Sequence, residues 1–191
     1  MSIRIVYQTL EDRNSDLDRL ETNGPYACHW ENTWLGNGYY FWDTLIENAH
    51  WWGKEVRQYS SGYIICKAVC DFNDNECFDL FGNLEHLQWL KQTYEIMKGK
   101  GLITNRTTVK TILAFLKGTL KSFDYVAVRA NGLKSKGFNS DYSVNVLFEP
   151  NKSQYLDLLP AVQICFFSKD AMSLRNYSVV YPEEYAQNEY I

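Results

Sequence analysis

Residues Ile3 to Leu10 alternate as a strand does, with Ile3, Ile5 and Tyr7 on one side and Arg4, Val6 and Gln8 on the other. A polar stretch from Glu11 to Asn23 follows, read either as a short helix carrying Leu17 and Leu20 inward or as a loop, and Gly24-Pro25 ends it. After a glycine turn, Tyr39-Tyr40-Phe41-Trp42 predicts a short strand. Leu45, Ile46, Ala49 and Trp52 then recur at helical spacing, predicting a helix that Asp43 caps and Gly53 closes. Gly62 to Val69 reads as a strand and Cys77 to Leu80 as another. Leu84 to Met97 and Val109 to Leu120 carry apolar residues three and four apart, so two helices flank Gly99-Lys100-Gly101. Strands return over Tyr125 to Arg129, Ser143 to Phe148, Val162 to Phe167 and Tyr177 to Tyr181, with a polar loop from Lys134 to Asp141. No repeat or linker interrupts this order. It predicts one α+β domain over residues 1–191, with a helical segment inserted at about 83–120.

Composition narrows the class. With 191 residues, 46% hydrophobic and 22% charged, the chain has the profile of a globular domain rather than a disordered or fibrous one. The net charge of −4, with Lys and Arg spread along the chain, gives no basic stripe of the kind that displaces counterions from nucleic acid. No apolar run approaches the roughly 20 residues of a membrane span, and Met1 to Tyr7 lacks the regions of a signal peptide. The expectation is a cytoplasmic protein, off the membrane and without metal. Five cysteines, an odd number, do not suggest a disulfide framework. Cys66 and Cys70 would share a strand face about 13 Å apart, too far for one tetrahedral zinc, so burial is the expected role of the cysteines.

Aromatic residues are in excess, and five of the six Trp (Trp30, Trp34, Trp42, Trp51 and Trp52) crowd one stretch. Within it, Gly36-Asn37-Gly38 precedes Tyr39-Tyr40-Phe41-Trp42. Two glycines there permit positive φ and close approach of a ligand, and an aromatic on the following strand can stack on a planar ring. Tyr39 and Tyr40 are then candidates for a pocket floor, Trp42, Trp51 and Trp52 for packing, and Trp30 and Trp34 for the rim. The alternative is a hairpin that only packs aromatics into a core.

Gly36-Asn37-Gly38-Tyr39-Tyr40-Phe41, followed by Ala49 and Trp52-Gly53, resembles the ADP-ribosyltransferase superfamily, which includes poly(ADP-ribose) polymerase catalytic domains and small bacterial toxin-like proteins. In order and spacing, Val6-Tyr7-Gln8-Thr9 matches the family's first motif, with Gln8 in place of the usual His and Thr9 in place of Gly. Gln163-Ile164-Cys165-Phe166-Phe167 matches the third motif, with Asp170-Ala171-Met172 behind it. The resemblance implies a split β-sheet core and NAD as substrate. It implies that Gln8 and Thr9 contact NAD, that Tyr40 stacks on nicotinamide and that Gln163 orients the ribose; Gly38, Tyr39 and His29 join them as candidate NAD contacts by their place at the glycine turn.

A carboxylate suits the third position because positive charge develops on the sugar as nicotinamide leaves, and Gln163 supplies no charge. Gln8 keeps a donor and an acceptor. Glu31 and Glu149 are the other carboxylates considered, and His29 lies near the glycine turn, while His50 and His86 fall in predicted helices. No Ser-His-Asp set has a nucleophile motif, and Gly36-x-Gly38 lacks the third glycine of a dinucleotide fingerprint. Two expectations stand. One is NAD-dependent ADP-ribosyl transfer to a macromolecular acceptor, a protein rather than nucleic acid, in a toxin or defence setting. The other is an inactive module of the same fold that binds a nucleotide or a protein.

Overall fold

The computed structural model describes residues 2–14, 16–31, 33–119, 123–132 and 140–186. Its strands are β1 (Ser2–Glu11), β2 (Tyr39–Asp43), β3 (Tyr63–Phe72), β4 (Cys77–Asp79), β5 (Ala127–Asn131), β6 (Asn145–Leu147), β7 (Tyr155–Asp157), β8 (Val162–Phe166) and β9 (Arg175–Tyr181). Its α-helices are α1 (Leu17–Asn23), α2 (Ile46–Trp51), α3 (Leu84–Gly99), α4 (Val109–Thr119) and α5 (Glu183–Ala186). The polar stretch after β1 is thus a helix in its second half. Asp16 starts it by accepting from the backbone N–H groups of Asp18 and Arg19. Residues 134–139 of the expected polar loop lie outside the described residues. Strand β7 pairs with β6 as a separate hairpin.

The main sheet has seven strands in the order β4-β5-β8-β2-β1-β3-β9. All neighbours are antiparallel except β4 and β5. A parallel pair needs a long crossover, and the predicted helical segment, α3 with α4, is that connection. The fold is mixed α+β with a mostly antiparallel sheet. Its one seam lies between β1 and β2. Strand β1 pairs with β3 from Ser2↔Phe72 to Glu11↔Tyr63, but with β2 only at Val6↔Asp43 and Tyr7↔Trp42. The core is therefore one sheet that parts at this seam, not two separate sheets.

Two faces follow from strand alternation. On one, Tyr40, Trp42, Cys165 and Val128 pack under α2 and α4 with Leu35, Ala49, Trp51, Leu113 and Leu116. On the other, Val6, Phe41, Ala68, Cys70, Phe72, Ile164 and Phe166 pack against Ala171, Met172 and Tyr177, and α1 adds Leu20. The Ile side of β1 is the outer one. Ile3 and Ile5 are 73% and 42% exposed, while Val6 and Gln8 are buried. Partner strand β3 sets this choice, because Ala68, Cys70 and Phe72 lie opposite Val6, Arg4 and Ser2 and need that face covered. Cys66, Cys70, Cys77 and Cys165 are all buried. Burial pushes the Cys66 and Cys165 thiols up to about 12 and that of Cys70 to about 11.

Asp43 does not cap α2. The first α2 residue follows Leu45, which makes no side-chain cap bond, and alternation turns Asp43 to the opposite face. There its Oδ2 accepts from Arg4 Nη1 (2.8 Å) and Arg129 Nε (2.7 Å), and Arg129 Nη1 also reaches Asp79 Oδ2 (3.0 Å). This chain of charges crosses from β1 to β4 over the apolar Ile164 of β8. Nor does Gly53 end the helix. The backbone continues as a π-helical turn, Trp52–Arg57, until Gln58 adopts a left-handed conformation.

Removing Asp43 leaves Arg4 without its counter-ion and Arg129 with Asp79 alone, in a largely buried setting. Asp43→Ala is expected to cost about 3–5 kcal/mol in urea denaturation. A loss near the ~1 kcal/mol of a helix cap would contradict the cross-sheet role.

Candidate functional site

Where β1 and β2 part, the segment Tyr26 to Cys28 enters between them. Cys28 pairs with Gly38 through two backbone bonds, Cys28 N–H to Gly38 O (2.7 Å) and Gly38 N–H to Cys28 O (3.2 Å). On the β1 side the link is a side chain. Gln8 Nε2 donates to Tyr26 O (2.8 Å) while Tyr26 N–H donates to Gln8 Oε1 (3.0 Å). A carboxamide has the donor and acceptor of a peptide group, so this pair reproduces one rung of a β-ladder. The remaining capacity is also taken: Gln8 Nε2 donates to Tyr40 O (3.3 Å), and Tyr177 OH donates to Gln8 Oε1 (2.8 Å). Gln8, only 4% exposed, has no hydrogen-bonding position left for a ligand.

The seam also leaves main chain facing open space. Thr44 N–H donates to Ile5 O (3.0 Å), so odd-numbered β1 residues direct their peptide groups toward β2. The register that sets Tyr7 against Trp42 would next set Thr9 against Tyr40, and that pair is not made. The Thr9 N–H and C=O therefore face the opening. The Thr9 hydroxyl donates to Ala49 O (2.9 Å), tying this edge to α2.

A cleft of about 420 Å³ occupies the opening, within the roughly 300–1,000 Å³ of typical small-molecule sites. Aromatic rings from Tyr26, Trp30, Trp34, Tyr40, Trp42, Trp52 and Tyr59 line it. Arg57 lies over the Trp30 ring (4.6 Å) and donates from Nε to Tyr59 OH (3.3 Å). Arg13 is paired with Glu11 Oε2 (2.8 Å). Glu11 is the one carboxylate among the described lining residues, and the sequence does not single it out because it reads there as the first residue of a polar stretch. Its position two residues beyond Thr9, on the same strand face, was the available signal. Cys28 also lines the cleft, with its thiol held above the usual range by burial, which outweighs the nearby Arg57.

Gln8, Thr9, Tyr40 and Gln163 all border this cleft, although three separate segments supply them. Gly38, Tyr39 and His29 do not. Tyr39 alternates to the other face, against the Phe41 and Phe166 core. Gly38 is glycine because a Cβ there would strike the Phe166 carbonyl and lie 2.7 Å from Cys165 Sγ, so it serves packing on β8 rather than ligand approach. Gly36 does hold positive φ (109°), turning the chain into β2. His29 is exposed outside the cleft, as are Glu31 and Glu149. His50 bonds to Tyr63 OH (3.0 Å), and His86 accepts from Asp79 N–H (3.0 Å) beside Tyr125.

Tyr40 offers its ring, not its hydroxyl. The hydroxyl accepts from Leu35 N–H (2.9 Å) and donates to Gly36 O (2.7 Å), pinning the glycine turn, and burial holds the phenol well above its ordinary pKa. Gln163, 6% exposed, accepts from Trp34 Nε1 at Oε1 (2.8 Å). Among the described residues no cluster of three His, Cys, Asp or Glu could hold a metal, and no helix is long and apolar enough to cross a membrane. Set against protein-family models, curated proteins and solved structures, the chain matches none.

Gln8→Ala is expected to destabilise the fold by about 3 kcal/mol or more, since it orphans four polar partners at once. Tyr40→Phe is expected to cost about 1–3 kcal/mol while leaving the ring in place. Thermal denaturation of both variants checks these values, and a neutral Gln8→Ala would refute the ladder role of its amide.

Proposed function

We propose that this chain binds NAD in the cleft between β1 and β2 and transfers its ADP-ribose to a macromolecular acceptor. The observation that carries the reading is the meeting of three groups in one aromatic cleft: the open Thr9 peptide edge, the Tyr40 ring and the Gln163 amide. A peptide edge with a free N–H and C=O matches a carboxamide, which needs one acceptor and one donor. The Tyr40 ring, fixed from behind by its hydroxyl, gives nicotinamide a face to stack on. Arg57 on the cleft wall, its guanidinium over the Trp30 ring, suits the pyrophosphate.

In the transfer, the bond between nicotinamide nitrogen and ribose carbon breaks, and its electron pair leaves with nicotinamide. The ribose carries positive charge until a nucleophile of the acceptor forms the new bond. Gln163 orients the ribose, and Glu11 is the cleft's source of negative charge toward that state. The acidic net charge favours a protein acceptor over nucleic acid.

A binding module without transfer is the second reading. It is favoured by the saturated Gln8 amide and the uncharged Gln163. Nicotinamide release from NAD by the purified protein separates the two. The transferase reading expects release that falls at least about 10-fold in Tyr40→Ala and in Gln163→Ala, the scale of losing one transition-state contact. Binding of NAD by calorimetry without release would favour the module. Neither binding nor release would refute the transferase and the NAD-binding form of the module.

A further inference from the structure

Trp34 and Gln163 are 129 positions apart in sequence, yet the indole Nε1–H donates to Gln163 Oε1 at 2.8 Å. An indole N–H only donates, so it accepts one partner, the carbonyl end of the amide. That fixes the amide's rotation and leaves Nε2 on the other side. Among the described residues Asn48 Oδ1 is the one enclosed side-chain polar atom without a hydrogen bond. Gln163 Nε2 has no hydrogen-bond partner among the described residues either, yet it is not one of the enclosed atoms, and the surface it can reach is the cleft that Gln163 lines. A side chain more than nine-tenths buried thus presents an unused donor to a ring-lined cleft.

We propose that Trp34 is a positioning residue that locks the Gln163 amide with its NH₂ group toward the cleft, so that the site selects a nucleoside-type ligand presenting an acceptor oxygen there. The proposal rests on the nucleotide reading of the cleft and adds its hydrogen-bond polarity. At this point the cleft gives a proton and takes none. A ribose ring oxygen or a carbonyl oxygen, which can only accept, is held by its lone pair. A ligand group that can only donate, such as an ammonium or a ring N–H, meets a like donor and is rejected. Glu11, Arg13, Arg57, Cys28 and the tyrosines are the other ionisable groups on the cleft wall.

The test compares NAD binding by calorimetry in the whole protein for wild type, Gln163→Glu and Trp34→Phe. Gln163→Glu keeps an acceptor for the Trp34 indole but replaces the donor by an anion. Its NAD affinity is expected to fall at least about 10-fold at pH 7, on the order of one lost hydrogen bond plus an unpaired acceptor. As pH falls through the range of the introduced carboxyl, the group regains a proton to donate and affinity should recover. The wild-type curve over the same range controls for the other ionisable groups. Trp34→Phe keeps an aromatic ring but frees the amide to turn, and affinity should drop severalfold. Slow exchange of the Trp34 indole proton, retained in Gln163→Glu and lost in Gln163→Leu, reports the lock in the free protein even where a variant binds no NAD.

Equal or tighter NAD binding by Gln163→Glu at pH 7 would overturn the donor polarity while leaving the nucleotide reading intact. A fast-exchanging indole proton in wild type would overturn the lock. A protected indole in a wild-type protein that binds no NAD would overturn the nucleotide reading and the ligand class proposed with it.

Discussion

The cleft exists because two neighbouring strands stop pairing, and one carboxamide makes that stop tolerable. Parting β1 from β2 at Tyr7 exposes peptide groups that would otherwise be paired inside a sheet. Gln8 answers for this side of the seam. Its amide stands in for a peptide, tying β1 to the Tyr26 segment, while Cys28 and Gly38 complete the ladder to β2. Tyr177, from the edge strand β9 beyond β3, takes the last acceptor position. A hydrophobic residue at position 8 would bury just as well but would leave the inserted segment without a partner. The seam, the inserted segment and the cleft all depend on the amide of one side chain.

The two faces of the sheet divide the remaining work. On the face away from α2, Arg4, Asp43, Arg129 and Asp79 span from β1 to β4 and tie the strands together by charge. Asp43 lies at the last paired rungs before the seam opens, opposite Val6. The ion pairs therefore hold β1 and β2 together just where the ladder ends, and the opening begins from a fixed point. On the other face, Trp42, Trp51 and Trp52 contact one another at ring distances of 5.7–6.2 Å and brace α2 against the sheet. Thr9 is fastened to the same helix through Ala49 O. The α2 side of the cleft is thus built on packed secondary structure.

Trp residues serve as wall and as instrument. Trp42 and Trp52 belong to the packed cluster and border the cleft as well. Trp30 holds the Arg57 guanidinium by its face, and Trp34 uses its ring nitrogen to orient Gln163. The aromatic excess is explained by these several uses rather than by one.

The amino-acid sequence alone determined the element types, the order of strand-rich ends around helices, and the stretch where rings and glycines gather. Those are local matters: periodicity, turn residues and composition act within a few positions. It also put Gln8, Thr9, Tyr40 and Gln163 into one candidate set with Gly38, Tyr39 and His29, and the first four border one cleft while the other three do not. Tertiary structure alone decided which face of β1 is inside, because that depends on what β3 presents beside it. It turned Tyr39 and Asp43 away from their expected roles, since a strand's alternation is fixed only once one residue's direction is known. It gave Gln8 to the seam rather than to a ligand, and set Trp34 on Gln163 from 129 positions away. Hydrogen-bond saturation belongs to the neighbours a side chain meets in space, and no reading of residue order contains those neighbours.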